Sequence, residues 1–368
     1  MSYVIDGKEY EANDIFCNAR DVLPHNCILN FILGAKGCGK TYGALTYCIS
    51  DFLKKGNKFI YLRRYDTELT ELDELFTTIN DEEFNDYVIG AKGKNFYVAK
   101  MEDLMDEKTN ELKMGKLYKD EYHCGKAIAL SSTVKLKSKD FVKYDKVIFE
   151  EFIIQQQHVY YIKNEPKIFM ELMDTIFRHR KMRIFMFGNN MTTINPYFIY
   201  FNIKNPKTKG ITKYKIFGRK AILVWYYHNP LFIKYKNQSD IGLLEQFSGF
   251  DKYAIQNESL YDNQQFIEKK TKDAQFKFSL KYQGNIIGIW LDVKVGKVYA
   301  TYRYPKGWTE HYACSTDDMQ PNLYFFRRMK KSYNVTLLND AFNYGYLYYD
   351  NVRVKEQMNE IFKLFSIY

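Results

Sequence analysis

The feature that most constrains this chain is a glycine-rich motif between an apolar run and a run of helix-forming residues. The stretch FILGAKGCGKTYGAL, Phe31 to Leu45, fits the pattern G-x-x-x-x-G-K-[ST] at every fixed position. Glycines let backbone N–H groups turn inward around a phosphate, and the N-terminus of the following helix adds a positive dipole end. A plain tight turn is the alternative, but the preceding strand and following helix are the context that phosphate binding requires. The motif therefore predicts a nucleotide phosphate site formed by Gly34, Ala35, Lys36, Gly37, Cys38, Gly39, Lys40 and Thr41.

Within this motif each side chain has a separate expected task. Lys40 would reach the β- and γ-phosphates of ATP, and the Thr41 hydroxyl would bind Mg²⁺. Lys36 either adds charge near the phosphates or is simply solvated, and Cys38 is expected to be passive filler. ATP and Mg²⁺ are thus the predicted cofactors.

The segments around the motif predict an α/β fold. The apolar run Cys27 to Leu33 is typical of a buried strand, a helical pattern follows it and closes on Gly56, and Asn57 to Arg64 forms a second strand. Strand, helix and strand in this order favour a parallel or mixed sheet. The acidic stretch from Asp66 to Ile79 is expected to be helical.

The pattern of the chain changes twice, and three domains are predicted. Residues 1–228 form the expected P-loop ATPase domain, and the polar, weakly helical residues 229–274 form a linker or helical subdomain. Residues 275–368 begin with period-two runs broken by turns, which predict an antiparallel meander of about three strands in a small α+β domain.

Two adjacent acids follow an apolar run downstream of the motif. In KVIFEEFI, Lys146 to Ile153, Glu150 is expected to hold Mg²⁺ and Glu151 to act as the general base. The prediction assumes that both lie in a strand, so that their side chains point to opposite faces and differ in role. A solvated acidic pair at a strand end is the alternative.

Three further positions are candidates for catalysis. Asn190, with Asn189, ends the next predicted strand, where an amide can orient the attacking water, although either could be a turn residue. Arg178 and Arg180 end the preceding helix, where an arginine either caps the helix or projects as a finger into a neighbouring subunit. Lys137 lies in an alternating lysine run that is usually a solvated edge but could also line a nucleic-acid channel or reach a neighbour's active site.

Composition adds a moderate basic excess and excludes several classes. The chain has 54 Lys and Arg against 44 Asp and Glu, a net charge of +10, which suggests a polyanionic partner. The six cysteines lack metal-ligand spacing and are expected to be free thiols in a reducing cytosol. No apolar stretch is long enough to span a membrane, so a soluble intracellular protein is predicted. Acids are sparse after Gln275, which argues against a two-metal nuclease there.

Taken together, GAKGCGKT, KVIFEEF, FRHRKMRIFMFGNN and YAIQNESLYDNQQFIEKK resemble the DNA-packaging (encapsidation) ATPases of phi29-like small tailed phages. The resemblance implies a ring translocase of the P-loop (ASCE) type that moves double-stranded viral DNA into a preformed prohead. It implies a homo-oligomer, a pentamer, at the portal vertex in the host cytoplasm, with a portal or connector and a packaging RNA as partners. It also implies that the catalytic strand lies beside the P-loop strand and that residues 275–368 are a vestigial RNase H-like nuclease.

The resemblance also assigns roles to particular residues. Glu151 matches the catalytic glutamate, Arg178 the trans-acting arginine finger, and Lys137 a candidate second trans-acting residue. Glu150 stands where related motors usually have Asp. Two other functions stay open: a nucleic-acid-binding scaffold whose P-loop binds ATP without turnover, and a terminase-like protein with an active nuclease.

Overall fold

The structure, a computed structural model, describes most of the chain. The described residues are 2–106, 109, 111–136, 141–154, 161–189, 195–203, 206, 209–248, 266–307, 311–329 and 332–365. They form two compact units, one of residues 1–193 and 203–259 and the other of residues 194–202 and 260–368. The predicted domain boundaries stay predictions. No helix in these ranges combines the length and the apolar character needed to cross a membrane.

The first unit contains a small hairpin and a large sheet. Its strands are β1 Ser2–Ile5, β2 Lys8–Glu11, β3 Leu29–Leu33, β4 Lys58–Arg63, β5 Tyr87–Lys92, β6 Asn95–Lys100, β7 His123–Ala129, β8 Tyr144–Phe149, β9 Arg183–Gly188, β10 Gly210–Ile216 and β11 Arg219–Tyr226. The hairpin pairs β1 with β2, and the nine other strands form one sheet in the order β10-β11-β3-β9-β8-β4-β7-β6-β5.

The two units contain ten described α-helices. They are α1 Ala12–Ile15, α2 Lys40–Lys55, α3 Thr77–Glu83, α4 Met101–Leu104, α5 Glu165–Phe177, α6 Pro196–Tyr200, α7 Pro230–Asn237, α8 Asp240–Ser248, α9 Tyr333–Asn343 and α10 Val352–Phe365. Helix α6 belongs to the second unit.

The centre of the large sheet is parallel, as the sequence predicted. Strands β11, β3, β9, β8, β4 and β7 run in one direction. At one edge β10 is antiparallel to β11, and at the other β6 is antiparallel to both β7 and β5. All five residues of β3 are buried, which is typical of a parallel strand covered on both faces. Parallel strands place their carboxyl ends at one edge, which is where ligands bind in α/β sheets.

The second unit contains the predicted meander. Its strands are β12 Gln275–Tyr282, β13 Asn285–Asp292, β14 Lys297–Thr301, β15 His311–Ala313, β16 Tyr324–Phe325 and β17 Leu347–Tyr349. They form a sheet in the order β16-β15-β12-β13-β14-β17, in which β12, β13 and β14 are antiparallel. Apolar side chains of α9 and α10, among them Leu338 and Ile361, pack with Phe278 of the sheet into a separate core.

Three expectations are corrected. Strand β9 lies between β3 and β8, so the strand before the two glutamates is the second neighbour of the P-loop strand and does not lie beside it. The acidic stretch 66–79 forms two 3₁₀ segments before α3, because Glu71 is left-handed and the carboxylates of Glu68 and Asp73 accept backbone N–H bonds. Strand β8 ends at Phe149, so Glu150 and Glu151 follow it in a turn and do not alternate within it.

Candidate active site

The glycine-rich motif connects β3 to α2 at the carboxyl edge of the sheet. Gly39 has φ +94°, and a Cβ there would lie 3.1 Å from the carbonyl oxygen of Cys17, so a larger residue would be strained and crowded. A Cβ on Gly34 would meet Cys38 Sγ at 3.0 Å and Tyr227 Cβ at 3.2 Å. The glycines therefore permit this path of the loop, and α2 begins directly at Lys40.

Lys40 lies folded over the loop. Its buried ammonium donates hydrogen bonds to the carbonyl oxygens of Gly34 at 2.8 Å and Ala35 at 2.9 Å. The same Nζ lies 3.4 Å from Asn189 Oδ1, next to the end of β9, and 3.6 Å from Cys38 Sγ. Lys40 thus links the loop to the adjacent strand. Lys36, by contrast, is exposed.

Cys38 is buried between Cys17 and Lys40. It is fully buried, and the hydrogen bond from Cys17 together with the nearby Lys40 lowers the pKa of the Cys38 thiol to about 6. Its sulfur therefore has a polarised environment beneath the phosphate-binding loop.

Glu150 meets Thr41 across the site. The Thr41 hydroxyl donates a hydrogen bond to Glu150 Oε1, and the carboxyl group of Glu150 is buried. Burial raises the pKa of Glu150 above its ordinary value, although the Thr41 hydrogen bond and the Lys40 charge oppose that shift. A hydroxyl and a carboxylate side by side are oxygen donors of the kind that Mg²⁺ takes.

Glu151 has a different environment from its neighbour. Its backbone is left-handed, with φ +52°, and its side chain is 52% exposed. The carboxylate pairs with Arg63 at 3.1 Å (Nη2 to Oε2), and the same Arg63 nitrogen lies 3.2 Å from Glu68. The two glutamates therefore have different environments. Both follow the strand in a turn, so strand alternation is not the cause of this difference.

A buried arginine holds the backbone of this turn, and sequence reasoning missed it. Arg64 donates to the carbonyl oxygens of Glu151 at 3.1 Å and Phe152 at 2.9 Å. Its Nε and Nη2 also bind the two carboxylate oxygens of Glu165 at 2.8 and 3.0 Å, a two-point ion pair that is almost fully buried. The available signal was the arginine pair Arg63–Arg64 at the end of β4, since parallel strands end at one edge.

The two arginines near the end of α5, Arg178 and Arg180, have different surroundings. Arg180 caps the helix, because its guanidinium donates to the carbonyl oxygens of Ile176, Phe177 at 3.3 Å and Phe141 at 2.7 Å. Arg178 is exposed and, within the described ranges, makes no side-chain hydrogen bond or ion pair. It also adopts φ +50° and ψ −108°, a conformation that favours glycine.

Arg178 lies at the opposite edge of the sheet from its own P-loop. It precedes the first residue of β9, whereas the P-loop follows the last residue of β3, and these strands are parallel neighbours. Strands of this length span roughly 17–20 Å. Arg178 is therefore separated from the glycine-rich loop of its own chain by the length of the strands.

Two candidate residues fall outside the described ranges, namely Asn190 and Lys137. Asn189 is described and is the amide beside Lys40.

In the second unit, the Asp292 carboxylate at the end of β13 bonds to neighbouring groups. Buried Asp292 accepts bonds from the Thr271 hydroxyl and the Lys294 backbone N–H. Among described residues, no group of three or more His, Cys, Asp or Glu could hold a metal ion.

Comparison with known proteins gives a consistent family. The family model described as podovirus DNA encapsidation protein (Gp16) matches residues 12–107 and 99–367. A DNA packaging protein of Bacillus phage phi29 is 31% identical over 354 residues, which cover 96% of this chain and 98% of the relative.

Two solved structures extend the comparison. The bacteriophage Phi-29 viral genome packaging motor assembly has a TM-score of 0.71 at 30% identity and covers 95% of this chain and 99% of its own. The N-terminal domain of the DNA packaging ATPase from bacteriophage phi29 is 31% identical, covers 58% of this chain and 97% of its own, and has a TM-score of 0.49. The chain therefore belongs to the podovirus DNA encapsidation protein (Gp16) family.

Proposed function

We propose that this DNA-packaging ATPase hydrolyses ATP with Mg²⁺ at the P-loop edge of its large sheet and uses that turnover to move double-stranded DNA into a prohead. The carrying observation is the convergence of Lys40, Thr41, Glu150 and Glu151 at this edge, reached from β3, α2 and β8. Lys40 and Thr41 begin α2 after β3, and the two glutamates follow β8, so the site depends on the folded sheet.

The residues present fit a nucleotide and a divalent cation. Lys40 needs to exchange its bonds to loop carbonyls for phosphate oxygens, which accept from an ammonium more strongly. Thr41 and Glu150 supply two adjacent oxygen ligands, the second directly or through water. Bound Mg²⁺ would neutralise negative charge on the transferred phosphoryl group.

Glu151 is the proposed general base. Its exposed carboxylate can be reached by water, whereas the buried carboxyl of Glu150 cannot serve that task while it holds Thr41. Glu151 must leave Arg63 to take a proton, since a carboxylate held in an ion pair is a weaker base. Arg64 keeps the backbone of Glu151 in place while the side chain moves. Asn190, with Asn189 next to it, would orient the attacking water.

Arg178 is the proposed finger for a neighbouring subunit. Its exposure, its lack of a described ion pair and its position at the opposite edge of the sheet support action in trans. Its backbone conformation favours glycine and is therefore strained for arginine, and strain of this kind concentrates at functional positions. Lys137 is the proposed second trans-acting residue.

A trans-acting arginine requires an oligomer. We propose a homo-oligomeric ring, a pentamer, on the prohead portal at the vertex where DNA enters, in the host cytoplasm. The relative's packaging motor assembly supports this arrangement. We also propose an ASCE-type first unit, and a second unit that is a vestigial RNase H-like domain without nuclease activity that contacts the prohead or its packaging RNA.

The division of labour between the two glutamates can be tested directly. We expect Glu151→Gln to bind ATP with wild-type affinity in Mg²⁺ but to lose turnover by about 10²-fold or more. Glu150→Gln should weaken the Mg²⁺ dependence of nucleotide binding. The reverse pattern would refute these roles. Turnover that survives in Glu151→Gln would refute Glu151 as the base. Absence of turnover in the wild type on DNA would favour the scaffold function.

A further inference from the structure

The positive charge of this chain is concentrated in one segment. Residues 175–239 contain 13 Lys and Arg and no Asp or Glu. The remaining 303 residues contain 41 Lys and Arg against 44 Asp and Glu, so they carry a slightly negative balance. The whole basic excess of the protein therefore lies in the part of the chain that forms β9, α6, the β10–β11 hairpin and α7.

The β10–β11 hairpin is the exposed centre of this segment. Lys209, Lys213, Lys215 and Arg219 are exposed and, among described residues, form no ion pair. A hairpin that presents four exposed cations without ion-pair partners among described residues is suited to a polyanion.

The tip of the hairpin carries a second unusual feature. Phe217 has φ +48° and Gly218 has φ +77°, a pair of positive values for which asparagine followed by glycine is the favoured sequence. The Phe217 side chain is fully exposed, and the neighbouring Ile216 is 43% exposed. A solvated phenylalanine in a strained backbone position stabilises nothing within the described unit, so we infer that it contacts a partner.

The hairpin is connected to the nucleotide site through the sheet. Strand β11 pairs in parallel with β3, and the Tyr227 N–H donates to the Leu33 carbonyl oxygen at 2.7 Å, directly before the P-loop. The tip lies at the other end of β11, roughly 26 Å away for a strand of eight residues. The cations at the tip therefore cannot compete for the nucleotide phosphates.

We propose that the β10–β11 hairpin is a contact for the phosphate backbone of double-stranded DNA, with Phe217 resting on the duplex between the basic side chains. The inference rests on the proposed function. Backbone contacts carry no sequence information, which is what a protein that moves along any sequence needs. Because β11 lies directly against the P-loop strand, the contact is also placed to follow changes at the nucleotide site.

The test is a titration of the full chain with double-stranded DNA at several salt concentrations. We expect Lys213→Gln/Lys215→Gln/Arg219→Gln to bind more weakly, on the order of tenfold or more near 0.1 M salt, and to lower the slope of log K against log[salt] by about three. The matched control, Lys8→Gln/Lys54→Gln/Lys272→Gln, removes three exposed lysines outside the segment and should bind as the wild type does. Both variants should retain the wild-type affinity for ATP.

A second variant separates contact from folding. Phe217→Asn places a favoured residue in the turn, so it should raise the unfolding temperature while weakening DNA binding and DNA-stimulated ATP hydrolysis. Wild-type DNA binding by this variant would refute the role of Phe217.

The outcomes distinguish this inference from the proposed function. Absence of DNA binding by the wild type would overturn both. Salt-dependent binding by the wild type with an unchanged slope in the hairpin variant would overturn the hairpin contact alone. The same titration is made with double-stranded RNA. If the hairpin variant loses binding to RNA but keeps binding to DNA, the hairpin contact with DNA is overturned in favour of an RNA partner.

Discussion

Removal of the Arg64 guanidinium tests how this chain holds its proposed base. Arg64 binds both carboxylate oxygens of Glu165 and the carbonyl oxygens of Glu151 and Phe152, all in a buried setting. Arg64→Met leaves the Glu165 carboxylate buried without its cation, which typically costs about 3–5 kcal/mol. That is a large part of the roughly 5–15 kcal/mol that stabilises an ordinary domain.

The double variant Arg64→Met/Glu165→Met separates stability from positioning. Replacement of a buried ion pair by apolar side chains of similar volume is often neutral, so we expect most of the lost free energy of unfolding to return. In the double variant the carbonyl oxygens of Glu151 and Phe152 still lack their hydrogen-bond donor. We therefore expect kcat to remain about 10²-fold below that of the wild type, while KM for ATP changes little.

The assays are urea unfolding and steady-state ATP hydrolysis of the full chain. Lys163→Met, an exposed position two residues before Glu165, is the control and should change the free energy of unfolding by less than about 0.5 kcal/mol. The reasoning is refuted if Arg64→Met costs less than about 1 kcal/mol, or if the double variant recovers wild-type kcat.

Two further predictions concern the helix end and pH. Arg178→Ala should lose ATP turnover without loss of stability, whereas Arg180→Ala should cost about 1–3 kcal/mol through its lost carbonyl bonds. A mixture of Arg178→Ala and Glu151→Gln chains should recover part of the turnover if the finger acts in trans, and a mixture no more active than its components would contradict that. Burial, with the nearby Lys58, lowers the pKa of His123 from 6.5 to about 4, so the folded chain releases a proton that the unfolded chain keeps. Stability should therefore fall as the pH drops from about 6.5 to 4, and His123→Gln, measured by urea unfolding across this range, should flatten that dependence.

The P-loop was predictable because its chemistry is local. The glycines, Lys40 and Thr41 are fixed by the strand before them and the helix after them, and these elements have the predicted order. Different roles for Glu150 and Glu151 were inferred from strand alternation, and these roles stay predictions; the structure shows that the two side chains have different environments. The actual cause is the end of β8 at Phe149 and the left-handed turn after it, which no period in the sequence reveals.

The contacts between distant segments were not predictable. Arg64 and Glu165 lie 101 positions apart and meet only because β4 and β8 are neighbours and α5 begins beside them. The pattern at the end of α5 could not separate Arg178 from Arg180, because the deciding contact is the carbonyl oxygen of Phe141 on another segment. Strand β10 escaped prediction because an exposed edge strand such as GITKYKI has no apolar run.

The most direct test of the central claim is steady-state ATP hydrolysis with and without long double-stranded DNA, measured for the wild type and for Glu151→Gln. The account predicts hydrolysis that DNA stimulates and that the variant loses. Equal turnover by the two proteins, or turnover by the wild type that is indifferent to DNA, would contradict a DNA-coupled motor with Glu151 as its base.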